Sequence, residues 1–477
     1  MTIAESSPVA APAPLAPQVF AALAARIDGT VTTPIDAGWD TARQAWNLSA
    51  DQHPDAVVAP SSAADVRATL LFANEHGLRA VAQTTGHLAG PLGNLAGSIL
   101  VRTSALSSIE VDTASLTVRV GSGVLWGDVT AALAEHGLMA LAGSAPDVGV
   151  AGYLLGGGVS WFGRSLGLAT SHVTTIEVIS GGGRMLRASA TEESELFYAL
   201  RGGGGNYGIV TAITFRVFAV RDVYAGMLMF PLERADDVFS AWELWTRDLD
   251  DSATSCFRLL RLPPLPELPE FLRGQSFAVI DGAIAIEQGD DGSEAERSAE
   301  AAALLAPLRA LGAAIDTFGV MPASRLGEIH MDPPGPVPGV GDGINLEELP
   351  RAAIDAVLKL VGPDAASPLL AVDIRHVGGQ LAVPAPDGGA VSSMPGRYLL
   401  YAVGITPTPE AAAAVSAATQ AVLEAVAPWR SATDYINFRE VRTAPEQLYR
   451  TDTLARLRAA KRNYDPNNTI RSAHPLD

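Results

Sequence analysis

The sequence predicts an α+β protein with two domains and a C-terminal segment that returns to the first domain. Residues 36–220 alternate short β-branched runs with glycine-rich turns and helical stretches. After Asp222 the sequence changes to long amphipathic helices and apolar strands joined by Pro/Gly-rich connectors. The tail from residue 448 holds one helix and a turn, too little for a domain of its own. The predicted units are residues 31–220, 221–430 and 431–477.

Composition narrows the class of protein further. The segment 1–30, which contains "SPVAAPAPLAP", is predicted to be disordered or extended, and its start does not resemble an export signal. Cys256 is the single cysteine, so an intrachain disulfide and a cysteine metal cluster are excluded and a reducing cytoplasm is the expected location. A net charge of −19 argues against nucleic-acid and membrane-surface partners. No apolar run is expected to span a membrane.

The individual strands and helices are predicted from the periodicity of apolar residues and from the residues that begin and end each element. Strands of the first domain are predicted over "AVVAP", "AVAQTT", "SILVRT", "LTVRVGSG", "TTIEVIS" and "GIVTAITFRVF". Its helices are predicted over "SAADVRATLLFANEHG", "LWGDVTAALAEHG" and "ESELFYALRG". Ser61 and Gly77 are expected to bound the first helix, and Gly127-Asp128 and Gly137 the second.

Three glycine-dense segments lie in the first domain: "GHLAGPLGN", "VGVAGYLLGGG" and "LRGGGGNYGIV". Such density indicates close approach of backbone to a ligand or positive φ, with tight turns as the alternative. The third segment also fits G-x-G-x-x-G at Gly203, Gly205 and Gly208. However, a helix is predicted before it and a strand after it, the reverse of a Rossmann turn. Any dinucleotide held there would lie in a different fold.

The order of several motifs is specific. They are "TARQAWN", "PDAVVAP", "QTTGHLAG", "VRVGSGVLWGDV", "GSAPDVGVAGYLLGGG", "GRSLGLATSHV", "ELFYALRGGGGNYGIVTAITF", "DIRHVGG", "DYINF" and "KRNYDPNNTIR". In this order the chain resembles FAD-linked oxidases of the vanillyl-alcohol-oxidase type, and among them the berberine-bridge-enzyme-like branch. The resemblance covers nearly the whole chain. It implies a two-part FAD-binding domain of the PCMH type and a substrate domain with an antiparallel sheet covered by helices.

The resemblance also implies where FAD would bind. His87 corresponds to the histidine that is bonded covalently to the flavin 8α-methyl, which both retains the cofactor and raises its potential. Ala145 stands where many members have a cysteine, so no second, cysteinyl link is expected. The other cofactor-binding positions implied are Gln83, Thr84, Thr85, Gly86, Leu88, Pro146, Val148, Gly149, Val150, Gly152, Tyr153, Gly156, Gly157, Gly158, Ser171, His172, Gly205, Asn206, Gly208, Ile209, Val210, Tyr464 and Asn467.

The catalytic base is the main departure from the family pattern. Members often use the second tyrosine of a Y-x-N-Y motif, but here the motif reads "YINF" and Phe438 cannot accept a proton. The candidates that replace it are Tyr435, Glu440, His376 and Tyr401, each with a purely structural role as the alternative. Arg375 is a further candidate, for pairing with an anionic group.

The predicted function is that of an FAD-dependent oxidoreductase. It would oxidise a small organic, secondary-metabolite-like substrate by hydride transfer to flavin N5, with O2 as the default electron acceptor. The alternatives are non-oxidase flavin chemistry, namely cyclisation, dehydrogenation or reduction, and a catalytically inert flavin-binding protein. The apolar strands "SCFRLLRLP" and "AVIDGAIAI" favour an aromatic or polyketide-like substrate over a sugar. No metal site is expected, because the eight histidines lack H-x-x-x-H spacing.

Overall fold

The computed structural model describes residues 15–266, 269–285, 294–333 and 335–477, and its strands form three sheets. The prediction of a disordered or extended segment over residues 1–30 does not hold for residues 17–24, which form helical turns. A short 3-10 turn and a helical turn lie there, and the first strand starts at Thr30. Phe20 and Leu23 are fully buried, and the Phe20 ring lies 5.7 Å from that of Phe72. Burial of these two side chains fixes the segment. Residues 1–14 lie outside the described residues.

The strands, in chain order, are β1 (Thr30–Thr32), β2 (Ala56–Ala59), β3 (Arg79–Gln83), β4 (Ser98–Arg102), β5 (Ile109–Asp112), β6 (Thr117–Gly121), β7 (Val173–Ser180), β8 (Met185–Ser189), β9 (Gly208–Arg216), β10 (Asp222–Pro231), β11 (Ala253–Arg261), β12 (Ser276–Ile284), β13 (Ile315–Asp316), β14 (Gly319–Pro322), β15 (Gly339–Leu346), β16 (Ala371–His376) and β17 (Tyr398–Ile405).

The α-helices are α1 (Ala21–Ala24), α2 (Trp39–Arg43), α3 (Ala63–His76), α4 (Trp126–Ala134), α5 (Val150–Gly156), α6 (Gly163–Leu166), α7 (Ser194–Leu200), α8 (Ala235–Arg247), α9 (Glu294–Leu304), α10 (Ala306–Arg309), α11 (Arg351–Val361), α12 (Pro409–Val426), α13 (Pro445–Leu448) and α14 (Thr451–Tyr464).

Helix ends follow local chemistry with small shifts from the prediction. Ser62, not Ser61, caps α3 through its hydroxyl, which accepts a hydrogen bond from the Asp65 amide at 3.2 Å. Gly77 ends the same helix with φ of 66°, the left-handed conformation expected there. Helix α4 begins at Trp126 and ends before Gly137.

The first domain contains two sheets. One has the order β1-β2-β4-β3, with β4 parallel to both β2 and β3, and the other has the order β5-β6-β9-β7-β8 and is antiparallel. The fold class predicted from the sequence, α+β with a two-part first domain, is confirmed. Helix α7 precedes the third glycine segment and β9 follows it, so the argument against a Rossmann turn also holds.

The second domain is built on an eight-stranded sheet with the order β13-β10-β12-β11-β16-β17-β15, and β14 pairs with β10. Along each strand, side chains alternate between the two faces. Phe257, Ile374 and Leu400 lie in the core beneath α8, α11 and α12. Arg258 and Tyr401 therefore point to the opposite face, which lies toward the first domain. That face forms the floor of the candidate site.

Helix α12 lies in an apolar stretch, Pro409–Trp429, that is long and apolar enough by composition to cross a membrane. In the structure α12 packs against β15, β17 and α11, and Val415, Val422 and Val426 are buried in the core of the second domain. Its alanines account for the high hydropathy. The packing is that of a helix covering a sheet.

The C-terminal segment packs on the first domain. Helix α14 contacts α7, and Ile470 forms a parallel bridge with Ala80. The Asp465 carboxylate accepts hydrogen bonds from the backbone amides of Thr469 and Ile470 at 2.8 and 2.9 Å. These bonds bring the end of the chain back beside β3.

Candidate active site

The histidine turn follows β3 directly. The His87 ring stacks on Trp46, with ring centroids 3.9 Å apart, and its Nδ1 lies 2.8 Å from the Thr85 hydroxyl. Its Nε2 is buried and has no hydrogen-bond partner among the described residues, with the nearest Asp147 oxygen at 3.5 Å. Trp46 is in turn held by a 2.6 Å hydrogen bond from its indole N–H to Asp147. The ring is therefore fixed in orientation, and one nitrogen is left free.

The other residues of the turn have structural partners. Gln83 is buried and donates to the Gln52 side chain at 2.8 Å, while Thr84 donates to the Ser122 carbonyl at 2.7 Å. Gly86 has φ of 89°, and a Cβ there would lie 2.8 Å from the Ala45 Cβ, so only glycine fits. Leu88 is half-buried. Contacts within the protein thus hold the turn at Gln83, Thr84 and Gly86.

The second glycine segment lies against this turn. A Cβ on Gly149 would lie 2.9 Å from the Thr84 Cβ, so the missing side chain permits the approach. Helix α5 begins at Val150, and a Cβ on Gly152 would meet no atom within 4 Å. The preceding residues pair with 124–127: Pro146 and Val148 accept backbone bonds at 2.7 and 3.0 Å. Ala145 lies in the same segment, and the absence of a cysteinyl link stays a prediction from its identity.

The end of α5 has a different environment from the one implied by the resemblance. A Cβ on Gly156 would lie 1.7 Å from the Asn437 Oδ1, and one on Gly157 3.0 Å from the Tyr435 ring. A Cβ on Gly158 would lie 2.5 Å from the ring of Tyr153. These three glycines are required by contacts within the protein itself. If these glycines also bind the cofactor, they can do so only through their backbone amides and carbonyls.

We expect Gly156→Ala to destabilise the protein by roughly 1–3 kcal/mol, because Asn437 must move and lose its hydrogen bonds. Those bonds run to the Tyr153 carbonyl and the Tyr435 hydroxyl, each at 3.0 Å. Denaturant unfolding measures the loss. Gly152→Ala is the matched control, since it adds the same methyl group to the same helix in open space. Equal stability of the two variants would contradict the packing account.

The third glycine segment is bonded to α5. Amides of Gly202 and Gly204 both donate to the Leu155 carbonyl at 3.0 Å. A Cβ on Gly205 would meet nothing within 4 Å, whereas one on Gly208 would lie 2.2 Å from the Ile179 carbonyl oxygen. Ile209 and Val210 continue into β9 with buried side chains. The backbone near Gly205 is accordingly the part of this segment that is open to a ligand.

Several predicted cofactor positions have partners within the protein. Asn206 donates to the carbonyls of Gly203 and His474 at 3.0 and 3.3 Å, and so ties the glycine turn to the C-terminal segment. His172 Nε2 lies 2.8 Å from the Leu166 carbonyl, and Ser171 is half-buried beside it.

The C-terminal pair is also bonded within the protein. Tyr464 donates to Glu193 at 2.7 Å, and Asn467 donates to Asn74 at 2.8 Å. These two side chains stabilise the packing of the tail. Their predicted role in cofactor binding has no support in these contacts.

The "YINF" segment lies where the two domains meet. The Tyr435 hydroxyl accepts hydrogen bonds from the Gly158 amide at 2.7 Å and from Asn437 at 3.0 Å. Burial raises the pKa of Tyr435 well above its usual value, so its proton is retained. The Phe438 ring packs edge-on against Tyr401, with centroids 5.2 Å apart. Tyr435 is therefore an anchoring group and a poor proton acceptor.

Tyr401 and Glu440 form an acid pair at this junction. The Tyr401 hydroxyl donates to the Glu440 carboxylate at 2.5 Å. Burial raises the pKa of Glu440 to about 7, and the nearby Asp342 contributes in the same direction. Burial also keeps the pKa of Tyr401 well above its usual value. Glu440 is thus a carboxylate whose pKa suits a general base near neutral pH.

His376 does not belong to this site. It alternates with Arg375 along β16, so its ring points to the helix-covered face, where Tyr398 lies 5.7 Å away. Its Nε2 lies 3.2 Å from an Arg164 nitrogen, and burial lowers its pKa to about 2. It is a neutral core histidine. The suggestion that it replaces the missing phenol is wrong because strand alternation turns it away.

A buried charged cluster lies on the sheet floor, and Arg375 is the one member of it that the sequence indicated. Arg258 pairs with Asp373 at 3.0 Å and with Asp281 at 3.5 Å. His330 Nδ1 lies 2.7 Å from Asp281, and its Nε2 lies 3.0 Å from Arg375. The alternating charged residues Asp373 and Arg375 in a mostly apolar strand could have predicted that one face of the strand is charged. The contacts of Trp46 and Asp147 with the histidine turn were also not predicted, because these residues lie far from His87 in the sequence.

These features fit FAD. The free Nε2 of His87 supplies the group that a covalent link needs, and Gly152 and Gly205 leave backbone open for close approach of a phosphate-bearing ligand. The backbone of Glu440 lies against the same turn, because a Cβ on Gly90 would lie 3.1 Å from its main-chain carbonyl oxygen. Gly90 ends the "QTTGHLAG" turn. The chain at Glu440 therefore passes beside the turn that carries His87.

Comparison with known proteins gives two matched families. Residues 54–189 match the FAD binding domain, and residues 434–476 match the family described as berberine and berberine like. Among curated relatives, (R)-6-hydroxynicotine oxidase of Paenarthrobacter nicotinovorans is 32% identical over 203 residues, which is 42% of this chain and 44% of the relative. Xylooligosaccharide oxidase of Thermothelomyces thermophilus is 31% identical over 216 residues, 44% of each chain. The chain thus spans less than half the length of these relatives.

The solved structures match over almost the whole length. The wild-type BBE-like 1 protein of Physcomitrella patens superimposes with a TM-score of 0.81 at 20% identity, over 96% of this chain and 99% of that one. At this identity the match establishes the fold, including the second domain that the family models do not cover. The resemblance found in the sequence motifs is thus confirmed in the two segments that the family models match, and the chain as a whole has the fold of a BBE-like protein.

Proposed function

We propose that the protein is an FAD-dependent oxidoreductase that oxidises a small organic substrate at the junction of its two domains. The observation that carries this proposal is the hydrogen bonding of the "YINF" segment to the second glycine segment: the Tyr435 hydroxyl accepts from the Gly158 amide at 2.7 Å, and Asn437 donates to the Tyr153 carbonyl at 3.0 Å. These bonds hold the chain that leads to Glu440, a carboxylate of raised pKa, beside α5. The relatives named as oxidases support the same reaction class and dioxygen as the final electron acceptor.

His87 is proposed as the attachment point of the flavin. Trp46 stacking and the Thr85 hydroxyl hold the ring, and Nε2 is the nitrogen left to form the bond. Backbone near Gly152 and Gly205 would hold the pyrophosphate. When bound, FAD supplies a two-electron acceptor that takes a hydride at N5.

Glu440 is proposed as the general base. It would take the proton from the substrate O–H or activated C–H while the hydride leaves the adjacent carbon, so that substrate loses one proton and one hydride in total. Tyr401 keeps its own proton and orients the carboxylate through the 2.5 Å hydrogen bond. Phe438 supplies an apolar surface in place of the phenol seen in relatives of the Y-x-N-Y type.

The direct test is whether the protein binds FAD and whether substrate reduces it. Purified protein, incubated with FAD and freed of excess, should show the visible flavin absorbance. Under anaerobic conditions this band should bleach with at least one member of a panel of small alcohols, amines and aromatic acids, and should return on admission of air. Absence of flavin after incubation would overturn the proposal, and bound flavin that no panel member reduces would favour the inert binding protein.

A further inference from the structure

We propose that Arg375 binds a carboxylate group of the substrate, so that the substrates are small aromatic carboxylates. The inference deepens the proposed function and rests on it. It begins with the charged cluster on the sheet floor, in which Arg258 and Arg375 are the cations and Asp281 and Asp373 the anions. Asp332 is a further carboxylate close enough to act on both arginines. The two arginines differ in how many of their N–H groups are hydrogen-bonded within the protein.

Arg258 is fully engaged inside the protein. It makes a 3.0 Å bond to Asp373, pairs with Asp281 at 3.5 Å, and donates to the His330 carbonyl. Its side chain is 6% exposed. Arg258 therefore has a structural function that explains its burial, since a buried guanidinium needs both an ion pair and hydrogen bonds.

Arg375 is only partly engaged. Its single hydrogen bond within the described residues runs from Nη2 to His330 Nε2 at 3.0 Å. Its Nη1 lies 3.6 Å from Asp373, too far for a hydrogen bond, and has no hydrogen-bond partner. The side chain is 14% exposed. Since a guanidinium has five N–H donors, most of its capacity is unused in a place largely removed from water.

The unused donors lie beside the proposed reaction centre. The guanidinium carbon of Arg375 is 4.9 Å from the Phe438 ring centroid, and the same ring packs against Tyr401. On the paired strands Tyr401 lies opposite Asp373, two residues from Arg375, so the two side chains share a face as diagonal neighbours about 7–8 Å apart. A substrate with one aromatic ring is long enough to reach from Arg375 to Tyr401.

This arrangement selects a ligand by its chemistry. A planar fork with free N–H groups matches a carboxylate through two parallel hydrogen bonds, and the Phe438 face suits the apolar ring that carries it. A metal ion does not account for the cluster, because the described residues contain no group of three or more His, Cys, Asp or Glu able to hold one. The carboxylate would supply the acceptors that Arg375 lacks.

The test uses FAD-loaded protein and two probes of equal shape, benzoate and benzamide. Calorimetric titration, followed in parallel by perturbation of the flavin absorbance, should give a Kd for benzoate about 10–100-fold lower than for benzamide. Equal affinities, or a preference for benzamide, would overturn the inference on wild-type protein alone. Failure to load FAD would instead count against the proposed function, so the two failures are distinguishable.

Variants then assign the preference to the residue. Arg375→Gln should remove the preference for benzoate, and Arg375→Lys, which keeps the charge without the fork, should retain only part of it. Arg462→Gln on the exposed surface of α14 is the matched control and should behave as wild type. If Arg375→Gln folds and loads FAD yet keeps the wild-type preference, Arg375 is not the binding group.

Discussion

Replacement of Glu440 by Gln is expected to lower the rate of substrate oxidation by about 10²–10⁴-fold, because the variant cannot accept a proton. FAD content should be unchanged, since the proposed FAD contacts involve other residues. The measurement is the rate of anaerobic flavin bleaching by a substrate found in the panel. A variant that keeps the wild-type rate would exclude Glu440 as the base.

The pH dependence of the wild-type enzyme provides a second readout. Because burial raises the pKa of Glu440 to about 7, the rate should rise as pH increases through that value and level off above it. The Tyr401 hydrogen bond favours the carboxylate and so opposes the shift. Tyr401→Phe should therefore move the rise to higher pH while retaining a measurable rate. A downward shift would contradict the role given to Tyr401.

The same carboxylate should affect stability, with a defined sign. The folded protein binds the Glu440 proton more tightly than the unfolded chain, in which the pKa is near 4.5. The free energy of unfolding of wild type, relative to Glu440→Gln, should therefore decrease as pH rises from 4.5 to about 7. Denaturant unfolding at several pH values tests this independently of any substrate.

Replacement of His87 by Ala is expected to abolish covalent attachment of flavin completely. Wild-type protein denatured in acid and run on a denaturing gel should give a band that fluoresces under ultraviolet light. The His87→Ala band should be dark, while the native variant still binds FAD reversibly through the glycine segments. The physical reason is the free Nε2 of a ring held by Trp46 and Thr85.

His53→Ala is the matched control, because His53 lies on the surface with its side chain 49% exposed. It should give a band as fluorescent as that of wild type. Flavin released from wild type by acid would show that the site is noncovalent, and the structural role of His87 would then be its stacking with Trp46. Fluorescence that persists in His87→Ala would place the link on another residue.

The sequence by itself determined the class of the protein and the position of its first-domain elements. Glycine segments, β-branched runs and capping residues act locally, so strands such as β2 and β9 and the end of α3 at Gly77 could be predicted within a residue or two. Motif order also indicated the resemblance to FAD-linked oxidases. The N-terminal error arose because the burial of Phe20 and Leu23 depends on α3, which the local composition does not reveal.

The tertiary structure decided which candidate side chains meet. The sequence did not distinguish among four candidates for the base that replaces the missing phenol. Strand alternation turned His376 away, and two donors fixed Tyr435. The Glu440 amide donates to Asp342 of β15, the strand paired with β17, and this bond places Glu440 beside Tyr401. Glu440 lies 39 residues from Tyr401 in the chain. Its raised pKa comes from burial between two domains, a property that no local pattern encodes, because it depends on what the fold places around the carboxylate.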